Sequence, residues 1–243
     1  MATTCHSKIF ADHVATSDAD VTRRLKAGGG VPFGKLATHE FAIGGPSFDL
    51  PWPPAVNPWG GAHFPGGSSS GSGVAVTSGM LPAALGTDTG GSVRNPASMC
   101  SIVGMKATYG RVSRAGVFPL AYSLDHVGPM TRTVADNAAL LQVLAGHDPG
   151  DPASANEAVP DFSAEIGMDL KGLTIGHVRH FYDGDETAHP EMAAAVDKAA
   201  ETLRELGADV REIRIAPLQD YATCNRTIIG SESYAIHRRF LQE

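Results

Sequence analysis

Two glycine–serine clusters, one short crossover apart, constrain this chain more than any other feature. They are Gly66-Gly67-Ser68-Ser69-Ser70-Gly71-Ser72 and Gly86-Thr87-Asp88-Thr89-Gly90-Gly91-Ser92. Ser68 and Ser92 stand 24 positions apart. Glycine has no Cβ, so the backbone can turn sharply and another group can approach it closely. Backbone N–H groups bared in that way can face a developing oxyanion, and a hydroxyl beside them can attack a carbonyl. Taken singly, each cluster reads as a linker, and its serines as turn or N-cap residues. Both together, in a chain 42% hydrophobic and 19% charged, are not linkers.

A chain of 243 residues with this apolar content can bury a sizeable core. Its net charge of −7 argues against a nucleic-acid backbone as partner. Cys5, Cys100 and Cys224 are few and odd in number, which implies no disulfide framework and suits a reducing compartment. Met1 to Lys8 lacks a basic-then-apolar leader pattern. Gly, Pro, Ser and Asp interrupt every apolar run before it reaches membrane-spanning length. The expectation is a soluble, cytoplasmic protein with no membrane or nucleic-acid contact.

The pattern predicts a helix over Asp18–Ala27, capped by Ser17 or Asp18 and stopped by Gly28-Gly29-Gly30. A strand is expected at Val31–Leu36, a short helix near Glu40, and an ordered loop over Phe48–Pro65. Ser70–Gly79 reads as a buried helix, with Ser70 and Ser72 as N-caps, and Ala83–Thr87 as a short strand. Val134–Ala145 reads as an amphipathic helix with Val134, Ala138, Leu141 and Leu144 on its apolar side. From Leu170 a βαβ pattern follows: a strand at Leu173–Val178, a helix at Pro190–Leu206 capped by Gly207, and a strand at Asp209–Ile215. Ile228–Leu241 is helical in pattern and continues toward Glu243. Alternating strands and helices make the class α/β, with a mixed, mostly parallel sheet covered by helices on both faces.

The clusters, with segments around them, resemble the amidase signature family of serine hydrolases. The resemblance takes in Phe33–Ala42, Asn57-Pro58-Trp59, Pro65–Ser72, Leu85–Ala97, Val103–Ser113 and Ser123–Met130, in register over roughly two thirds of the chain. It implies one continuous α/β domain over residues 1–243, with a signature core at 1–147 and a βαβ-rich part at 162–243. It implies a Ser–cis-Ser–Lys triad with Ser92 as nucleophile and Ser68, after a cis peptide, as the bridging serine. Thr89, Gly90, Gly91 and Ser92 amides would hold the oxyanion, with Ser69 as a supporting partner. The reaction implied is hydrolysis of a linear carboxylic amide through an acyl-enzyme, with esterase or carbamate side activity, on a small-molecule amide and without a cofactor. Asp88 and Arg94 would brace the nucleophile turn, and Asn95, Gly44 and Gly45 would face the substrate.

The chain departs from the family pattern at one point of chemistry. The family's general-base lysine lies in a segment upstream of a Thr-Thr-x-x-Ser stretch. That stretch is Thr3-Thr4-Cys5-His6-Ser7 here, so the lysine-bearing segment is absent from this sequence. Lys8 stands nearest but follows the stretch. The resemblance therefore implies a signature domain truncated at both ends and weakly active alone, since a lost general base costs about 10²–10⁴-fold. A homodimer or a complementing chain would supply the rest. An alternative within the family is an A-type amidotransferase subunit, which passes glutamine-derived ammonia to a charged tRNA. A third reading is a catalytically dead remnant that binds amides or a partner chain. Ser231–Arg238 looks like the stand-alone amidases. His177-x-x-His180 with Asp183 and Asp185 fits no strong zinc spacing and reads as surface loop, so no metal is expected.

Overall fold

The computed structural model of the chain describes residues 1–241. The Glu243 end of the last helical pattern lies outside the described residues. Two compact units form, residues 1–164 with the stretch from Ser231 onward, and Glu165–Gly230.

In the first unit three strands pair in the order β1-β3-β2: β1 at Ala83–Asp88, β2 at Val103–Gly104 and β3 at His126–Thr131. Both pairings are antiparallel; β1 meets β3 from Ala83↔Thr131 to Asp88↔His126. Helices α1 (Asp20–Ala27), α2 (Ser70–Thr77), α3 (Arg94–Met99) and α4 (Val134–Leu144) accompany them. The α4 helix packs on β3 and on α1, and α2 packs on β1. Val21, Ala107, Val112, Val127, Leu141 and Leu144 form the main apolar cluster, and Val93, Ala97 and Met130 a second. Full burial of a side chain such as Leu144 or Met130 contributes about 1.5–3 kcal/mol.

Several expectations shift in detail. The α1 helix starts on Ala19 without a side-chain cap, because Asp18 pairs instead with Lys26 at 2.6 Å. It ends as foreseen, with Gly29 at φ +85° and the Gly30 amide bonded to the Leu25 carbonyl at 2.8 Å. The α4 helix is capped by Thr133, whose hydroxyl accepts the Asp136 amide at 3.1 Å. Val134 is exposed and is not on the apolar side; Asn137 takes that face. Its side-chain amide bonds the Pro129 carbonyl and the Thr131 hydroxyl, both at 3.1 Å, which docks α4 on the middle strand.

Val31–Leu36 is not a strand. Val31 and Phe33 are each 86% exposed, and no described strand runs beside them. Residues of strand type have no ladder to join there, and an unpaired strand is not stable by itself. The short helix near Glu40 is present as Glu40–Ala42.

In the second unit β4 (Thr174–His177) pairs parallel with β5 (Asp209–Glu212), from Thr174↔Asp209 to His177↔Glu212. Between them runs α5 (Pro190–Glu205), with proline in its first turn, where a missing N–H is harmless. Gly207 adopts φ +99° just past that helix. The α6 helix, Leu218–His237, starts earlier than its pattern suggests, and only its part up to Gly230 belongs to this unit.

Candidate active site

Strand β1 ends at Asp88, and the chain turns through Thr89–Ser92 into α3; the first cluster runs directly into α2. Packing of α2 on β1 lays the clusters side by side. The Gly67 amide donates to Asn95 Oδ1 at 3.1 Å, and the Ser69 amide donates to the Ser92 carbonyl at 3.3 Å. A Cβ on Gly66 would fall 2.5 Å from Pro96 Cα, and one on Gly67 would fall 2.1 Å from His39 Cε1. Close approach, not loop flexibility, demands glycine at both positions. The Gly67–Ser68 peptide is cis.

Ser68 is held by its carbonyl, which accepts the His39 amide at 3.0 Å and the Thr38 hydroxyl at 2.7 Å. Its own hydroxyl is buried and has no hydrogen-bond partner among the described residues, and the same is true of His39 Nε2. Burial pushes the His39 imidazole below its ordinary value, opposed by a hydrogen bond with the Gly44 carbonyl and aided by nearby His6. The Ser69 hydroxyl donates to the Thr87 carbonyl and accepts the Thr87 amide, at 3.3 and 3.2 Å, so it ties the cluster to β1. The Ser72 hydroxyl donates to the Leu85 carbonyl at 2.7 Å. It therefore fastens α2 to β1 and is not an N-cap. Ser69 occupies the cap position without a capping side-chain bond, and Ser70 is the first helical residue.

The Thr89–Ser92 turn is organised by Asp88, which is fully buried. Its carboxylate accepts the Gly91, Val93 and Arg94 amides at 2.8, 3.2 and 3.3 Å. The Arg94 guanidinium adds two bonds at 3.0 Å. Burial raises the Asp88 pKa, but the Arg94 hydrogen bonds and charge, with the two amides of Val93 and Arg94, more than offset it and hold it below the usual carboxylate range. The bracing role foreseen for Asp88 and Arg94 is thus visible in the geometry. One of the four candidate oxyanion donors is committed elsewhere: the Gly91 N–H points into Asp88. The Gly90 and Ser92 amides meet no protein acceptor among the described residues. Asn95, in the first turn of α3, accepts the Gly67 amide through Oδ1 and so ties that helix to the first cluster.

Asp125 is a site residue that sequence spacing does not single out. Its carboxylate accepts the Thr89 hydroxyl at 2.6 Å and the Leu120 amide at 2.8 Å, and it also bonds the Ala121 amide. The ladder explains the meeting, because Thr89 and Asp125 are the next opposed pair beyond Asp88↔His126. A cavity of about 250 Å³ opens beside them, walled by Val117, Phe118, Pro119, Leu120 and Val127. Arg114, which also lines it, is bound to Asp151 by two guanidinium bonds, at 3.1 and 3.0 Å, and by its backbone amide at 2.8 Å. His177 is bonded to the Tyr182 hydroxyl at 2.5 Å. Among the described residues no three His, Cys, Asp or Glu side chains are grouped to hold a metal, and no helix is long and apolar enough to cross a membrane.

The α/β chain thus sets two glycine–serine turns against each other, with the Gly90 and Ser92 amides bared at one of them. The Amidase family profile matches residues 1–242, and the chain belongs to that family. It is 44% identical over 238 residues to the A-type subunit of glutamyl-tRNA(Gln) amidotransferase from Synechococcus sp. strain WH7803, covering 98% of this chain and 49% of that protein. Against the Moorella thermoacetica protein of the same name it is 48% identical over 220 residues, covering 90% of this chain and 45% of the relative. Among solved structures, the same A-type subunit from Thermotoga maritima superposes with a TM-score of 0.91 at 37% identity, over 98% of this chain and 52% of that one. The native peptide amidase from Stenotrophomonas maltophilia gives 0.86 at 33% identity, over 100% of this chain and 50% of that one. These neighbours share the α/β architecture with a mixed sheet. The chain spans about half the length of the relatives it matches.

Proposed function

We propose that this chain carries the acyl-transfer centre of an enzyme that cleaves a carboxamide C–N bond. As Ser92 attacks the amide carbonyl its proton passes to the Ser68 hydroxyl, which hands its own proton on to a general base, the neutral lysine that the family resemblance implies, and that base returns it to the leaving group. The Gly90 and Ser92 amides, with Thr89 at the start of the turn, receive the oxyanion. Ammonia or an amine leaves with the proton, and water then hydrolyses the acyl–Ser92 ester. The observation that carries this reading is the junction of the two clusters, where Gly67–Asn95 and Ser69–Ser92 bonds hold a buried, unpartnered Ser68 hydroxyl beside the nucleophile turn. Buried polar groups without partners are rare outside functional sites. A neutral lysine, which the family resemblance implies, is the chemical complement of that hydroxyl.

The likeness to glutamyl-tRNA(Gln) amidotransferase A subunits favours the amidotransferase reading, in which, as the family resemblance implies, glutamine is the amide cleaved and its ammonia passes to a charged tRNA with the help of partner subunits. The second reading, a stand-alone hydrolase of linear amides, is favoured by the peptide amidase likeness over the whole chain. Incubation with a small alkyl fluorophosphonate, intact mass and peptide mapping test the centre. The expected result is one adduct, on Ser92, absent from Ser92→Ala. A folded sample without an adduct counts against the acyl-enzyme reading. Ammonia release from glutamine, compared with release from a C-terminal peptide amide, then separates the two substrates.

A further inference from the structure

We propose that Asp125 is a positioning residue for this acyl transfer: through the Thr89 hydroxyl it fixes the start of the oxyanion turn, and through the Leu120 and Ala121 amides it joins that turn to the wall of the adjacent cavity. The inference rests on the acyl-enzyme reading above and deepens it.

The geometry is specific. One carboxylate gathers a side chain from the nucleophile turn and two backbone amides from the cavity wall, at 2.6 Å to Thr89 and 2.8 Å to Leu120. The bond to Ala121 is 3.0 Å from Oδ2. Phe118, Pro119 and Leu120 supply the apolar side of a cavity that Thr89 and Asp125 also line. A group lodged against Leu120 therefore presses on a segment bonded to the carboxylate that holds Thr89. Interactions that strengthen as the transition state forms raise the rate of the chemical step, whereas those equal in both states change only binding. The Thr89 hydroxyl lies on the oxyanion side of this linkage and the Leu120 amide on the substrate side. Asp125 does not touch the reacting atoms. It acts through the turn.

The test is the rate of Ser92 modification by a small alkyl fluorophosphonate over a range of probe concentrations, which separates the maximal rate from half-saturation. The proteins are the wild-type chain, Thr89→Val, Thr89→Ser, Asp125→Asn and the double variant Thr89→Val/Asp125→Asn. Valine is close to threonine in shape and puts a methyl where the hydroxyl stood, so Thr89→Val reports even where Asp125→Asn fails to fold. The maximal rate should fall roughly 10- to 100-fold in Thr89→Val, less than the 10²–10³ typical of outright loss of an oxyanion donor. Half-saturation should stay within about 3-fold, because the ground-state contacts remain. Thr89→Ser should retain the rate, and the double variant should be no slower than the slower single variant, since one shared bond is lost only once. A Thr89→Val rate equal to wild type, a change confined to half-saturation, or additive losses in the double variant would overturn the role of Asp125 while leaving the acyl-enzyme reading intact. A wild-type chain that forms no Ser92 adduct overturns both.

Discussion

Asp88→Asn should cost this chain both stability and its reactive turn. The wild-type carboxylate receives five hydrogen bonds, three from backbone amides and two from the Arg94 guanidinium. Asparagine offers one acceptor oxygen and one NH₂ group. Whichever way it is turned, two or three of the five donors face another donor. Each buried donor left unsatisfied costs about 1–3 kcal/mol. Arg94 has 53% side-chain exposure and recovers water, so the loss falls mainly on the amides, and a total of about 3 kcal/mol is reasonable. For a chain of this size that corresponds to a melting temperature lower by about 6–12 °C. The pH dependence has a definite sign. The folded pKa of Asp88 is depressed, so its stabilisation is present above the unfolded carboxylate value and is lost as pH falls through the folded one. The gap between wild type and Asp88→Asn should therefore be widest near neutrality and close in acid. Thermal melts followed by circular dichroism from pH 7 down to about pH 3 measure both effects. Equal melting temperatures at neutral pH, or a gap that does not narrow in acid, would refute the view that the buried carboxylate organises the turn.

Two further substitutions probe close packing and helix propensity. Gly67→Ala puts a methyl 2.1 Å from His39 Cε1, where the ring is buried. It should destabilise by about 1–3 kcal/mol or more and abolish Ser92 labelling, read by melts and intact mass. Gly230→Ala lies inside α6, where an added Cβ meets nothing within 4 Å. It should stabilise by about 0.5–1 kcal/mol through helix propensity alone, measured as an upward shift in urea midpoint with labelling unchanged.

The helices are legible in the sequence because their signals are local. Gly28-Gly29-Gly30 stops α1, and Pro190 opens α5. The middle strand β3 is hidden because Gly128-Pro129 reads as a breaker. Proline cannot donate to a ladder, yet it is tolerated there with its carbonyl accepting the Met105 amide and the Asn137 side chain. The expected strand at Val31–Leu36 fails for the opposite reason, good residues with no neighbour to pair with. At the site, glycine–serine spacing points to Ser68, Ser69 and the Thr89–Ser92 turn, and the fold juxtaposes them. Asp125 cannot be found that way. Its relation to Thr89 exists only once the antiparallel register is known. Nor can spacing show that Gly91 spends its amide on Asp88, because a donor's direction depends on the turn it sits in.

The β1–β3 register acts as a ruler for evolution as well as for geometry. Within the segment from Gly110 to Leu124, Val117, Phe118 and Pro119 wall the cavity outside the ladder, so changes of side chain there reshape what the cavity admits without moving the pairing. The six paired positions from Ala83↔Thr131 to Asp88↔His126 have no such freedom. A single residue gained or lost within β3 would turn alternate side chains to the opposite face and carry Asp125 out of reach of Thr89. Selectivity in a chain built this way can drift through the side chains of the cavity wall, while the count of residues along the ladder must hold for Asp125 to meet Thr89.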